Sequence, residues 1–132
     1  MADFPDSEDV LKTAVRTALE VDVVTRIDGQ GPAGKFITLR RIGGGRVGFA
    51  RDVAKIRWRC FPPLDHPTRS TANELASDLR DFLHGHLKGQ VLAGSPVHQV
   101  VEDPDTRPDD DPVIDREFVE VVTDIAFGRI RA

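Results

Sequence analysis

Ten residues, Asp52 to Phe61 (DVAKIRWRCF), constrain this chain more than any others. Ala54, Ile56, Trp58 and Cys60 alternate with Lys55, Arg57 and Arg59. Successive side chains of a strand point to opposite faces, so the segment predicts a strand with one apolar and one strongly basic face. The apolar face must be covered, and two amphipathic segments are suited to cover it. In the first, Val10, Leu11, Ala14, Val15, Ala18 and Leu19 recur at helical spacing, behind Asp6 or Ser7 as N-cap. Glu8 and Asp9 complement the dipole of its first turn. In the second, Ala72, Leu75, Ala76, Leu79, Phe82, Leu83 and Leu87 form the stripe. Thr71-Ala-Asn-Glu74 spells a capping box at its start, Gly85 weakens its last turn and Gly89 ends it.

Further strands are expected at Val21 to Ile27, Phe36 to Ile42, Val97 to Val101 and Phe118 to Ile130. In the last, Val119, Val121, Ile125 and Phe127 point one way, Glu120 and Asp124 the other. Asp28 to Lys35, Gly43 to Gly48 and the proline-rich Phe61 to Thr68 read as connections. Hairpin-like links predict an α+β two-layer sandwich: a mostly antiparallel β-sheet with two amphipathic helices on one face, one domain over residues 1–132. A single cysteine excludes a disulfide framework and a four-cysteine zinc site. No apolar run approaches the ~18 residues of a membrane span, and the acidic start MADFPDSEDV is unlike a secretory leader, so a cytoplasm-like compartment is expected.

Two segments spell G-x-G-x-x-G: Gly29, Gly31, Gly34, and Gly43, Gly45, Gly48. Phosphate binding requires such a loop to lead into a helix N-terminus, and both here lead into predicted strands. Phe36 also stands where a Walker loop needs Ser or Thr. His84 and His86 lie two apart on a helix, where they cannot share a metal, with His86 expected at the boundary of the apolar stripe and His84 exposed. Cys60, on the apolar side of its strand, reads as a buried inert thiol. The sequence shows no catalytic constellation, and neither a cofactor nor a metal is expected.

The charges are unevenly placed. From Glu102 to Asp115 the chain carries a net −6 within a total of −4, so the remainder is +2. With prolines at 104, 108 and 112, that segment reads as an extended, solvated loop. Arg40, Arg41, Lys55, Arg57 and Arg59 sit on two strands expected to be neighbours. Either they pair within the sheet, with Glu120 and Asp124 as cross-strand partners, or they form an interaction surface. A basic strand face and a separate acidic loop permit head-to-tail contact between copies. DNA is a poorer partner, since stacking aromatics are few and the acidic loop repels phosphate.

The order of these features resembles the small tail-terminator and tail-completion proteins of long-tailed (siphovirus-type) bacteriophages, particularly those of actinobacterial hosts. The matching segments are FPDSEDVLKTAVRTAL, FITLRRIGGGR, DVAKIRWRCF, STANELASDLRDFLHG, VVEDPDTRPDDDP and REFVEVVTDIAF, in that order across nearly the whole chain. The resemblance implies a non-enzymatic virion protein of the tail or neck, assembled in the host cytoplasm. Typically six copies form a ring that caps the tail tube, stops its polymerisation and joins it to the head connector. The implied partners are the chain itself, the tail tube protein and the head–tail connector protein. DNA passes through the lumen without specific binding, and no membrane is involved. On this reading Arg40, Arg41, Lys55, Arg57, Arg59, Asp105, Asp109, Asp110, Asp111, Glu120 and Asp124 belong to subunit or tail-tube contacts. The acidic loop could instead line the lumen, repelling passing DNA. The alternatives are another neck protein, such as a connector adaptor, and a bacterial protein-binding adaptor domain.

Overall fold

The computed structural model describes residues 3–29, 31–103 and 116–130, together with the backbone of 108–110. Helix α1 (Ser7–Leu19) is followed by β1 (Asp22–Val24), β2 (Phe36–Val47) and β3 (Arg51–Phe61). Then come α2 (Arg69–Phe82), a π-helical turn (Leu83–Leu87), β4 (Val91–Leu92), β5 (Ser95–Glu102), β6 (Pro108–Asp110) and β7 (Glu117–Gly128). The sheet order is β1-β2-β3-β7-β5-β4, with β6 also paired to β7. Only β1 and β2 run parallel; the other neighbours are antiparallel. The architecture is α+β, with both helices packed on one face of the sheet.

The inner face follows the alternation of β3. Ala54, Ile56, Trp58 and Cys60 are fully buried, as are Ile37 and Leu39 on β2 and Val121, Thr123 and Ile125 on β7. Helix α1 adds Leu11 and Val15, and α2 adds Ala72, Leu75, Ala76 and Leu79. The one polar atom of Trp58, its Nε1–H, donates to Thr123 Oγ1 at 2.9 Å, so no unpaired donor enters the core. A smaller cluster occupies the opposite face, where Phe36 and Phe61 stack with centroids 4.6 Å apart and Phe118 leans on Phe61.

The glycine run is not the expected turn. Strand β2 continues through Gly43, Gly44 and Gly45 to Val47, and the chain reverses at 48–50. The register shifts between Arg41 and Gly43, a β-bulge at Ile42. Gly44 has φ +93°, and a Cβ there would collide with the Val53 carbonyl. Glycine is thus the residue that lets β2 kink and still pair with β3.

Three local expectations also change. The N-cap of α2 is Thr68 rather than Thr71: its Oγ1 accepts from Thr71 N at 3.2 Å, while the Thr71 hydroxyl donates to the His66 carbonyl at 2.7 Å. At Gly85 the helix loosens into a π turn, which keeps Leu83 and Leu87 buried and leaves both His84 and His86 exposed. Within the acidic segment, Pro108–Asp110 pairs with β7 instead of running free, Asp109 opposite Phe118 and Asp110 opposite Glu117. Asp105 and Asp111 lie outside the described residues.

Candidate interaction face

The register of three strands decides which charges meet. On the face away from the helices, Arg40 of β2 stands opposite Arg57 of β3, and Thr38 opposite Arg59. Across β7, Arg59 faces Glu120, Arg57 faces Val122 and Lys55 faces Asp124. Arg40, Lys55, Arg57 and Arg59 therefore share one face, as the alternation requires.

Arg41 does not belong to this set. Adjacent strand residues point to opposite faces, and Arg41 points toward the helices. Its guanidinium grips the Asp52 carboxylate through two hydrogen bonds of 2.9 and 2.8 Å, and its backbone N–H donates to Glu8 on α1 at 2.9 Å. The hydrogen bond from Arg41 holds the Asp52 carboxyl below its usual range, and the same bond raises the Arg41 guanidinium. Arg41 thus fastens α1 to the sheet.

The chain after β1 adds a residue that strand spacing did not reveal. Thr25, Arg26 and Ile27 fold over the sheet and, with Thr38, Arg40, Arg57 and Arg59, line a concavity of about 230 Å³. Four guanidinium-bearing side chains surround it. Glu120 offsets part of this charge, at 3.3 Å from Arg59 Nε and 3.8 Å from Arg57 Nε. Arg59 also lies over the Phe118 ring, 4.7 Å from its centroid. Among the described residues, neither Arg26 nor Arg40 has an ion pair, and Lys55 makes none with Asp124 despite their register. Expected cross-strand pairing is therefore real for Glu120 and absent for Asp124. Like charges directly opposite, as Arg40 and Arg57 are, destabilise a sheet by up to a few tenths of a kcal/mol. Such a surface suits oxyanions: an arginine fork donates N–H bonds in pairs to carboxylate or phosphate oxygens, and Thr25 and Thr38 add hydroxyls.

The other candidates are structural. Neither glycine motif leads into a helix; the first runs into β2 and the second lies within β2 and its turn. Cys60 is completely buried, and burial pushes its thiol up to about 12. Arg116, unremarked in the sequence, is only 7% exposed. Its guanidinium donates to the carbonyls of Pro32, at 2.7 Å, and Pro62, and lies 4.9 Å from the Phe36 centroid. It ties the loop before β2 to the connection after β3. Burial away from water lowers its proton affinity. Comparison of the chain with protein-family models and with curated proteins finds no match.

Proposed function

We propose that this chain is a structural assembly protein of the tail-terminator type. Its copies close into a ring that caps a phage tail tube, stops its polymerisation and joins it to the head connector. Two things support this reading: the order of segments across the chain, and an α+β sandwich whose face away from the helices concentrates arginines. The observation that carries it is the concavity ringed by Arg26, Arg40, Arg57 and Arg59. It is open and fitted to grip acidic groups on a protein surface. Arg40, Arg57 and Arg59 then meet carboxylates of the tube or of a neighbouring subunit.

Native mass spectrometry with negative-stain imaging, on the protein alone and after incubation with purified tail tubes, tests the reading. Closed rings of about six copies, free or on tube ends, are expected. Arg40→Glu with Arg57→Glu should abolish tube capping while the fold persists. A strict monomer in both settings refutes the proposal.

A further inference from the structure

The distribution of exposed apolar side chains points to a second contact. Among the described residues six large hydrophobic side chains stay exposed; Ile42, Val47 and Phe49 lie along the outer half of the β2–β3 hairpin, and Val91 lies on β4. Phe49, in the turn, is 87% exposed. One exposed ring alone would be ordinary, but Ile42, Val47 and Phe49 place three exposed large hydrophobics within one hairpin. The Phe49 backbone is held: Arg129 Nη1 donates to the Phe49 carbonyl at 3.4 Å while Arg129 Nη2 is anchored on Asp3 at 2.8 Å. A turn tied at its carbonyl and presenting a free aromatic ring has the form of an interface anchor.

On the helix side lies a cavity of matching character. The apolar stripe of α1 is wider than the part that the sheet covers. Leu11 and Val15 are buried, whereas Val10 and Ala14 are half-buried and Ala18 is exposed. With Phe82 and with Val91 and Leu92 of β4 they line a groove of about 490 Å³, a size that takes one large side chain and its neighbours. A second concavity of about 390 Å³ continues it past Ala18 and Phe82. The charged residues lining the two are Asp9, Asp78 and Asp81, and neither lining contains a lysine or arginine. Around Phe49 the sign is reversed: the turn is flanked by Arg46 and Arg51 with Arg129 behind it, three positive charges against the single Asp3 that lies 2.8 Å from Arg129 and 3.9 Å from Arg46. An apolar knob with a basic collar thus answers an apolar groove with an acidic rim. The two surfaces share no residue, so one copy can offer its knob to one neighbour and its groove to another.

We propose that Phe49 of one copy seats in the α1–β4 groove of a second copy of this chain, forming the head-to-tail contact between subunits. This deepens the ring reading and rests on it for closure, but not for the contact itself. Head-to-tail contacts generate rings or filaments according to the rotation between copies.

A single aromatic anchor gives a weak contact in dilute solution, so covalent trapping is the suitable probe. In the full chain, Ala50→Cys and Val91→Cys introduce thiols beside the knob and on the groove rim, both at exposed positions. The buried Cys60 does not compete. Under mild oxidation the double variant should give a ladder of disulfide-linked trimers and higher species. Each single variant should stop at dimers. Adding Phe49→Ser should reduce the ladder at least tenfold, with Trp58 fluorescence showing an intact fold. Absence of the ladder, or a ladder indifferent to Phe49→Ser, overturns the proposal. Imaging separates the two ideas. Wild-type rings that survive Phe49→Ser reject the knob and keep the ring. A Phe49-dependent ladder of open filaments keeps the knob and rejects the ring.

Discussion

Replacing Gly44 by alanine, with Gly45→Ala as its neighbour control, measures the bulge that organises β2. At Gly44 the backbone has φ +93°, where an alanine pays about 1–2 kcal/mol. Its methyl group would also collide with the Val53 carbonyl oxygen and lie 2.9 Å from that carbonyl carbon and 3.0 Å from Lys55 N. All three atoms are backbone of β3, so no side-chain rotation relieves the clash. Moving them disrupts at least one ladder hydrogen bond and leaves a part-buried polar group unpaired, about 1–3 kcal/mol more. The sum is about 2–5 kcal/mol. At Gly45 a Cβ meets nothing within 4 Å and φ is not positive, so alanine should stabilise slightly, by about 0.5 kcal/mol through the unfolded chain. With an unfolding entropy of about 2.1 cal/mol/K per residue, the two variants should differ in Tm by about 9–20 °C. Urea and thermal unfolding followed by the fluorescence of Trp58, the only tryptophan in the sequence, reads the difference from the middle of the core. Variants within about 1 kcal/mol of each other would refute the bulge and restore the simple glycine turn.

Three further outcomes are expected. Asp52→Asn should cost about 2 kcal/mol at neutral pH, the scale of a hydrogen bond to a charged group. Because Arg41 lowers the Asp52 carboxyl in the folded state, that stability is complete above the ordinary carboxylate value near 3.9 and is lost as pH falls through the folded value. The gap between wild type and variant should therefore narrow in acid, and a constant gap from pH 7 to pH 2 would show that the pair contributes nothing. Ala93→Asn should raise stability by about 1 kcal/mol in the same unfolding assay, since Ala93 (φ +49°) and Gly94 (φ +83°) form the two-residue turn from β4 to β5 that favours Asn-Gly. Cys60 should resist a thiol reagent at pH 8 and react only as fast as the chain unfolds in urea; rapid labelling of the native protein would contradict its burial.

The inner face was readable because its signal is local: β3 alternates without interruption, and both helical stripes keep their period. The glycine run was not readable, because residues without Cβ carry no alternation, and a bulge and a turn use the same letters. Arg40 and Arg41 invited grouping as a pair, although period 2 already demands that a strand send them to opposite faces. The helix N-cap shifted by one threonine because Thr68 and Thr71 are equally able to accept an amide hydrogen bond. Arg26 and Arg116 owe their places to chain reversals over long sequence distances. No periodicity places a loop arginine above a strand eleven or more residues away. Phe49 carried a visible signal, an aromatic ring in a glycine turn between arginines, but its exposure depends on what the fold leaves uncovered.

The position of β7 has a consequence for synthesis. This strand lies between β3 on one side and β5 and β6 on the other, yet it is the last of the described strands to be made. Until residues up to Gly128 have left the ribosome, β3 and β5 have no partner along those edges, and the inner face lacks Val121, Ile125 and Phe127. The nascent chain thus waits with long unpaired strands, the state most exposed to aggregation. A truncation anywhere before Arg116 yields not a smaller sheet but two unsealed halves.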